Sequence, residues 1–113
     1  MDDRQLLEAA ARAAGIEGRY FENDNPIHCG IYRAEHEYYW NPLISDSEAF
    51  RLAVKLNLTV RHYMGNTCAQ TVTPGSLSVY VEETDVDEPL TAARRAIVKA
   101  AAAMDAASRA KGV

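Results

Sequence analysis

The stretch Trp40-Asn41-Pro42-Leu43-Ile44-Ser45-Asp46-Ser47-Glu48 separates two parts of the chain that differ in character. Pro42 disfavours a helical backbone at Asn41, which predicts a bend at this point. Ser45 and Glu48 have the spacing of a capping box, with Ser45 at the N-cap and Glu48 at N3. The sequence therefore predicts that an extended segment over 36–40 ends at the bend and that a helix over 46–57 follows it.

The part before the bend is predicted to be a helix followed by short strands. Asp2 and Asp3 suit the N-terminus of a helix over 2–14, and Gly15 suits its C-terminus. Its apolar face consists of Leu6, Leu7, Ala10 and Ala14. The turn-forming stretch 23–26 divides strand candidates at 18–22 and 27–33, and six of the chain's aromatic residues lie within 16–40.

The part after the bend is predicted to contain two helices and three strands. The helix over 46–57 carries a wide apolar sector, which suits packing on a sheet. Its members are Ala49, Phe50, Leu52, Ala53, Val54, Leu56 and Asn57. Segments 58–63, 67–73 and 77–83 are rich in β-favouring residues, and they predict an antiparallel meander in which Leu77, Val79 and Val81 face inward.

The last helix is predicted over 88–111, with Pro89 in its first turn. Its predicted buried face consists of Leu90, Ala93, Ile97, Ala100, Ala101, Met104 and Ala107. The whole order, α-β-β(-β)-α-β-β-β-α, predicts an α+β helix–sheet–helix sandwich with a mainly antiparallel sheet, in a single domain over 1–113. Three helices leave a face or an edge of such a sheet open, so a homodimer through it is an expectation to test.

Composition excludes several classes of function. The chain has a net charge of −4, which divides into −8 over residues 1–88 and +4 over 89–113. A pI near 5.3 argues against non-specific binding to nucleic acid. No apolar run approaches the roughly 20 residues of a membrane span, and no secretory signal is evident. Cys29 and Cys68 have no metal-ligand spacing, so we expect reduced thiols in a cytoplasmic protein.

Several blocks resemble the phage ABA-sandwich domain family, small proteins of tailed bacteriophages and prophages. They are Trp40-Asn41-Pro42-Leu43, Leu52-Ala53-Val54-Lys55-Leu56, the helix Arg94-Arg95-Ala96-Ile97-Val98-Lys99-Ala100-Ala101-Ala102, and Ala13-Ala14-Gly15-Ile16. The resemblance implies helix layers on both sides of a central sheet. It implies no activity and supplies no catalytic residue, because the function of that family is unknown. It favours a bacteriophage accessory protein that binds a host or phage macromolecule, with inhibition of a host defence such as CRISPR as one version.

Two sets of residues are candidates for partner binding. The first is the group of tyrosines Tyr32, Tyr38 and Tyr39, because aromatic residues dominate binding hot spots. The second comprises Glu82, Glu83, Asp85 and Asp87, within a run of five acids in seven residues. Capping and solvation of the following helix are the competing interpretation of that acidic run. Trp40, in contrast, is predicted to lie in the core.

Other chemistries have weaker signals. Arg94 and Arg95, near a helix start, are the single hint of a nucleotide-binding protein. Cys68 and His62 lie symmetrically about Gly65 and could face each other as in a thiol enzyme. A zinc site would have to draw on His28, Cys29, His36, His62 and Cys68, whose spacings are irregular. The sequence thus predicts no catalytic residue, no metal and no cofactor.

Overall fold

The computed structural model describes residues 1–64, 66–71, 79–85 and 87–110. In chain order these form α1 (Asp3–Ala14), β1 (Arg19–Phe21), a 3-10 turn (Pro26–His28), β2 (Gly30–Arg33), β3 (Tyr38–Trp40), α2 (Asp46–Lys55), β4 (Leu58–Tyr63), β5 (Asn66–Thr71), β6 (Tyr80–Thr84) and α3 (Pro89–Ala110). The predicted α+β class and element order are confirmed. The predicted inward position of Leu77 lies outside the described residues.

The strands form two antiparallel meanders. Sheet A has the order β1-β2-β3, and sheet B has the order β4-β5-β6. The sequence led us to expect one central sheet, whereas the structure has two three-stranded sheets. In the chain, the bend and α2 lie between β3 and β4. Helix α1 packs on sheet A, α3 packs on sheet B, and these two terminal helices pack against each other.

The helix ends follow the local signals in the sequence. The Asp2 carboxylate accepts a hydrogen bond from the Gln5 backbone N–H at 2.8 Å, and the Gln5 side chain accepts one from Asp2 N at 3.0 Å. Gly15 ends α1 in the left-handed conformation, with φ 70°. Ser45 Oγ accepts from the Glu48 N–H at 3.3 Å, as predicted for the N-cap of α2.

The predicted bend is buried and satisfied by hydrogen bonds. Trp40, Asn41, Pro42 and Leu43 are all buried. The Asn41 amide oxygen accepts from Leu43 N at 3.1 Å, and its amide nitrogen donates to Cys29 O at 3.2 Å. One buried side chain therefore shapes the bend and ties it to the start of β2.

Helix α3 is shared by two hydrophobic cores. The larger core joins α1, α2 and sheet A to one side of α3; it includes Leu6, Leu7, Ala10, Ile31, Trp40, Leu52, Val98, Ala101 and Ala102. The smaller core joins α3 to sheet B through Ala69, Val79, Ala96 and Ala100. Both sides of α3 are therefore covered. Its small alanine side chains allow the other elements to pack closely against it on each side.

Three apolar residues of the predicted buried faces are exposed, and so is Asn57 of the predicted apolar sector. Phe50 is 70% exposed, Val54 is 59% exposed and Leu90 is 60% exposed. Helix α2 buries only Ala49, Leu52 and Ala53, so its contact is narrower than its apolar sector. Leu90 lies in the first turn of α3, before the buried stretch that starts at Ala92.

The predicted strand over 27–33 is shorter than expected. Residues Pro26–His28 form a 3-10 turn, and β2 starts only at Gly30. Asn25 caps that turn by accepting from the Ile27 N–H at 3.2 Å, which competes locally with an extended backbone.

Substitution Ala101→Leu tests the packing of α3. Ala101 is fully buried in the larger core, so added methylene groups must displace its neighbours, and we expect a loss of about 1–3 kcal/mol in the free energy of unfolding. Ala106→Leu is the matched control, since Ala106 is exposed on the same helix. Chemical denaturation measures both variants, and equal stabilities would contradict the described packing.

Substitution Gly30→Ala tests the approach of β2 to the bend. Gly30 has φ 126°, and a Cβ there would lie 2.5 Å from the Trp40 carbonyl oxygen. Gly15→Ala is the control, because Gly15 also has positive φ but has no atom within 4 Å of that position. We expect Gly15→Ala to cost about 1–2 kcal/mol and Gly30→Ala to cost clearly more in thermal or chemical unfolding. The reverse ranking would show that β2 does not approach the bend in this way.

Candidate functional site

The two faces of sheet A have different surroundings. Cross-strand partners lie on the same face, and the register pairs Arg19 with Tyr32 and Tyr32 with Tyr39. The intervening residues point the other way and pack toward the larger core: Tyr20, Ile31, Tyr38 and Trp40. No described helix covers the face that carries Tyr32 and Tyr39, since α1 lies against the opposite face.

Four rings form a contiguous cluster on that open face: Phe21, His28, Tyr32 and Tyr39, together called the aromatic face. Ring centroids of Tyr32 and Tyr39 are 5.0 Å apart, and Phe21 lies edge-on to both at 6.1 and 6.5 Å. The His28 ring is 5.6 Å from Tyr39. The rings support one another laterally and expose their outer surfaces, with Phe21 43% exposed.

Local structure fixes the edges of the aromatic face. Gly30 is the cross-strand partner of Phe21, so no side chain stands beside that ring on β2. The connection from β1 to β2 is closed by Cys29, whose thiol donates to Asn23 O at 2.8 Å and accepts from Asn23 N at 3.1 Å. This closure positions the 3-10 turn and hence His28 beside Tyr39. The thiol of Cys29 therefore has a structural role, because it holds the β1–β2 connection closed.

A groove of about 470 Å³ adjoins the aromatic face. Phe21 and Tyr32 form part of its wall, and Arg19 stacks over Phe21 with its guanidinium carbon 5.7 Å from the ring centroid. Glu17, Arg19 and Glu35 are exposed at its rim. The arrangement combines an apolar aromatic centre with a rim of both charges, which is the usual anatomy of a protein-binding surface.

The structure divides the three predicted tyrosines. Tyr32 and Tyr39 lie together on the aromatic face, whereas Tyr38 points to the opposite face. There the Tyr38 hydroxyl accepts from Arg33 at 3.1 Å, and its ring packs against the larger core. Tyr38 is therefore placed as a structural residue of the hairpin.

The four predicted acidic residues do not form one patch. Glu83 points toward α3 and pairs with Lys99 at 3.0 Å and with Arg95 at 3.8 Å. Asp85 accepts from the backbone N–H groups of Asp87 and Glu88 at 3.2 and 2.9 Å, which is a capping role before α3. Asp87 is exposed. Glu82 lies on the outer face of sheet B, among polar groups.

The outer face of sheet B carries a hydrogen-bonded chain of side chains. The Tyr80 hydroxyl lies 3.0 Å from Cys68 Sγ and donates to Glu82 at 3.1 Å, and Asn66 donates to Glu82 at 3.2 Å. The hydrogen bonds to Cys68 and Glu82 raise the pKa of Tyr80 to about 12. Loss of the phenolic proton would place a second negative charge beside the carboxylate.

The predicted juxtaposition of Cys68 and His62 is wrong. The β4–β5 register pairs Cys68 with Arg61 and His62 with Thr67. This register differs by one residue from the symmetric arrangement about Gly65, and a shift of one residue moves a side chain to the other face. His62 therefore hydrogen-bonds Thr67 at 2.9 Å on the inner face, while Cys68 lies on the outer face.

The two arginines that suggested a nucleotide site make ion pairs within the chain. Arg94 donates to Leu43 O at 2.8 Å and to the Asp46 carboxylate at 2.6 Å. Arg95 donates to Asp3 at 3.2 Å and lies 3.8 Å from Glu83. These bonds tie α3 to the starts of α1 and α2, so they give both guanidinium groups a structural role.

Comparisons with protein-family models, with curated proteins and with solved structures give no match to this chain. Within the described ranges, no group of three or more His, Cys, Asp or Glu side chains is arranged to hold a metal ion. Across the same ranges, no helix combines the length and apolar character needed to cross a membrane.

Neither Phe21 nor His28 is among the residues that the sequence predicts for partner binding, and His28 is a candidate there only for the zinc site. The alternation in Arg19-Tyr20-Phe21 contains the relevant signal, because it places Phe21 on the face opposite to Tyr20. That signal could not be used without the hairpin register. His28 reaches Tyr39 through the 3-10 turn. That turn is only three residues long, so the sequence shows no periodic pattern that would predict where the His28 side chain lies.

Substitution Glu82→Gln tests the network on the outer face of sheet B. The amide keeps a hydrogen-bond acceptor but removes the negative charge, so we expect the pKa of Tyr80 to fall from about 12 toward its ordinary value of 10. Titration of the Tyr80 side-chain carbon by NMR measures the change. Tyr20 is the internal control: burial and then its hydrogen bond to Glu22 raise its pKa to about 12, and it should be unaffected. An unchanged Tyr80 titration in the variant would contradict the contact with Glu82.

Proposed function

We propose that this chain is a non-enzymatic binding protein whose aromatic face contacts a host or phage protein. The observation that carries the proposal is the cluster of Phe21, His28, Tyr32 and Tyr39 on the uncovered face of sheet A. Tyrosine and phenylalanine are enriched in protein interfaces because they bury a large area with few rotatable bonds. The packed opposite face of sheet A holds these rings in place before a partner arrives.

Charge favours a protein partner over a nucleic acid. Among the residues that point outward from the strands of sheet A, Arg19 is the basic one, and its guanidinium stacks on Phe21. The adjacent groove carries Glu17 and Glu35 together with Arg33, which donates to the Tyr38 hydroxyl, in a chain with a net charge of −4. A nucleic-acid surface needs several free cations to neutralise phosphates. A protein surface with exposed apolar groups and mixed charges fits this face better.

The finer part of the proposal is that the chain is a bacteriophage accessory protein acting on a host macromolecule. It is supported by the resemblance of the blocks at 40–43, 52–56 and 94–102 to phage ABA-sandwich domains. Within that class, a protein of a host defence system such as CRISPR is one kind of partner. A binding protein needs no catalytic constellation, and the displacement of His62 from Cys68 accords with such a role.

Capture from a bacterial host lysate tests the proposed function. The tagged wild-type chain should retain a defined protein, and Tyr39→Ala should weaken that complex by about 30-fold, as expected for an aromatic hot spot worth roughly 2 kcal/mol. Tyr80→Ala is the matched control, because Tyr80 is 56% exposed on the other sheet. Affinities of the purified complex are then measured by calorimetry.

A second variant separates loss of binding from loss of folding. Phe21→Ala removes a ring at the rim of sheet A that is 43% exposed, so it should weaken the complex while circular dichroism stays native. The proposal fails if no protein is captured. It also fails if Tyr80→Ala abolishes capture while Tyr39→Ala and Phe21→Ala retain it.

A further inference from the structure

Among the residues that the structure describes, strand β4 has one unpaired edge. It is an outer strand of sheet B, and β5 is its partner within those residues. At the β5–β6 pair, Thr71 N donates to Val79 O at 3.1 Å, so the odd-numbered residues of β5 direct their backbone groups to β6. Backbone groups alternate between the two edges of a strand, so even-numbered residues of β5 face β4, where the register pairs them with Thr59, Arg61 and Tyr63.

It follows that Leu58, Val60 and His62 direct their N–H and C=O groups away from β5. Within the described residues, no backbone hydrogen bond from another segment reaches these groups. The strand is six residues long, contains no proline and carries one charged residue, Arg61, whose side chain lies on the outer face of sheet B. Most natural edge strands are shortened, charged or covered, because an open edge is a template for pairing with another strand.

An apolar groove adjoins this edge. Phe50, Val54, Val60 and Leu90 are 70, 59, 40 and 60% exposed, and they surround a groove of about 720 Å³ between α2, α3 and β4. The charged groups at the groove are Asp46 and Arg94, which neutralise each other at 2.6 Å. The combination of an open strand edge and an uncharged apolar groove fits a partner that brings both a strand and apolar side chains.

We propose that two copies of this chain associate through β4, forming a continuous six-stranded antiparallel sheet across a two-fold axis. With Val60 on the axis, Leu58 pairs with the partner's His62, and Arg61 lies opposite the partner's Thr59. A register centred on Arg61 would instead place the two Arg61 side chains opposite each other, which like-charge repulsion disfavours. Leu58 and Val60 also line the apolar groove, so pairing at this edge places the second copy at the mouth of that groove.

This inference is independent of the proposed function, because β4 belongs to sheet B and the aromatic face to sheet A.

Light scattering over a concentration series tests the association. The wild type should approach twice the 12.5 kDa mass of one chain, and Val60→Lys should stay at one chain mass because it places two like charges at the axis. Val54→Lys, on the exposed side of α2, is a second disrupting variant that does not alter the strand. Ile27→Lys is the control, since Ile27 is 70% exposed on the turn next to sheet A.

Residue-resolved amide exchange identifies the interface. On dimerisation, hydrogen exchange at the Val60 and His62 amides should slow by about tenfold or more. The exchange rate of the Arg61 amide should not change, because that amide is already bonded to β5. A wild type that remains a monomer at all concentrations overturns the proposal. A dimer that persists in both Val60→Lys and Val54→Lys also overturns the proposal. A dimer that Ile27→Lys abolishes overturns the proposal too, because it places the interface near sheet A.

Discussion

Close packing of α1 against α3 is the contact on which the remaining structure depends. Ala10 on α1 and Ala101 and Ala102 on α3 are buried in one core, and their small side chains let the two helix backbones approach each other. Arg12 and Asp105 close this contact with an ion pair of 3.1 Å, in which the Asp105 side chain is only 10% exposed. The hydrogen bond between Arg12 and Asp105 joins residues 93 positions apart, so this contact is tertiary and not local.

This packing determines which surfaces are free. Each terminal helix covers one face of one sheet, and no third helix layer covers the remaining faces in the described part of the chain. Sheet A therefore exposes the aromatic face, and sheet B exposes a polar face with Tyr80 and Glu82. Helix α2 buries Ala49, Leu52 and Ala53 and leaves Phe50 and Val54 exposed. The surfaces that we connect to partners are thus consequences of how three helices share two sheets.

Charge serves the architecture more than recognition. Three basic residues of α3 pair with acids from other elements: Arg94 with Asp46, Arg95 with Asp3, and Lys99 with Glu83. These pairs join the acidic body of the chain to its basic last helix. They are partly exposed, so each contributes modestly to stability, but together they connect α3 to α1, α2 and β6. The surfaces that we propose for binding are mainly aromatic and apolar.

Much of the fold could be predicted because it depends on local interactions. The caps at Asp2, Gly15 and Ser45, the bend at Pro42 and the alternation of Val79, Tyr80 and Val81 each involve residues within a few positions of one another. Such interactions act regardless of the rest of the chain. They determine where helices and strands lie and in what order.

The site residues depended on long-range contacts and could not be predicted in the same way. One residue of register in the β4–β5 hairpin placed His62 and Cys68 on opposite faces, and the pairing of β1, β2 and β3 brought Phe21 to Tyr32 and Tyr39. By itself, then, the sequence determined the elements, their order and the α+β class. The division into two sheets and the choice of exposed faces were decided only by tertiary structure, because they depend on contacts between α1 and α3, at opposite ends of the chain.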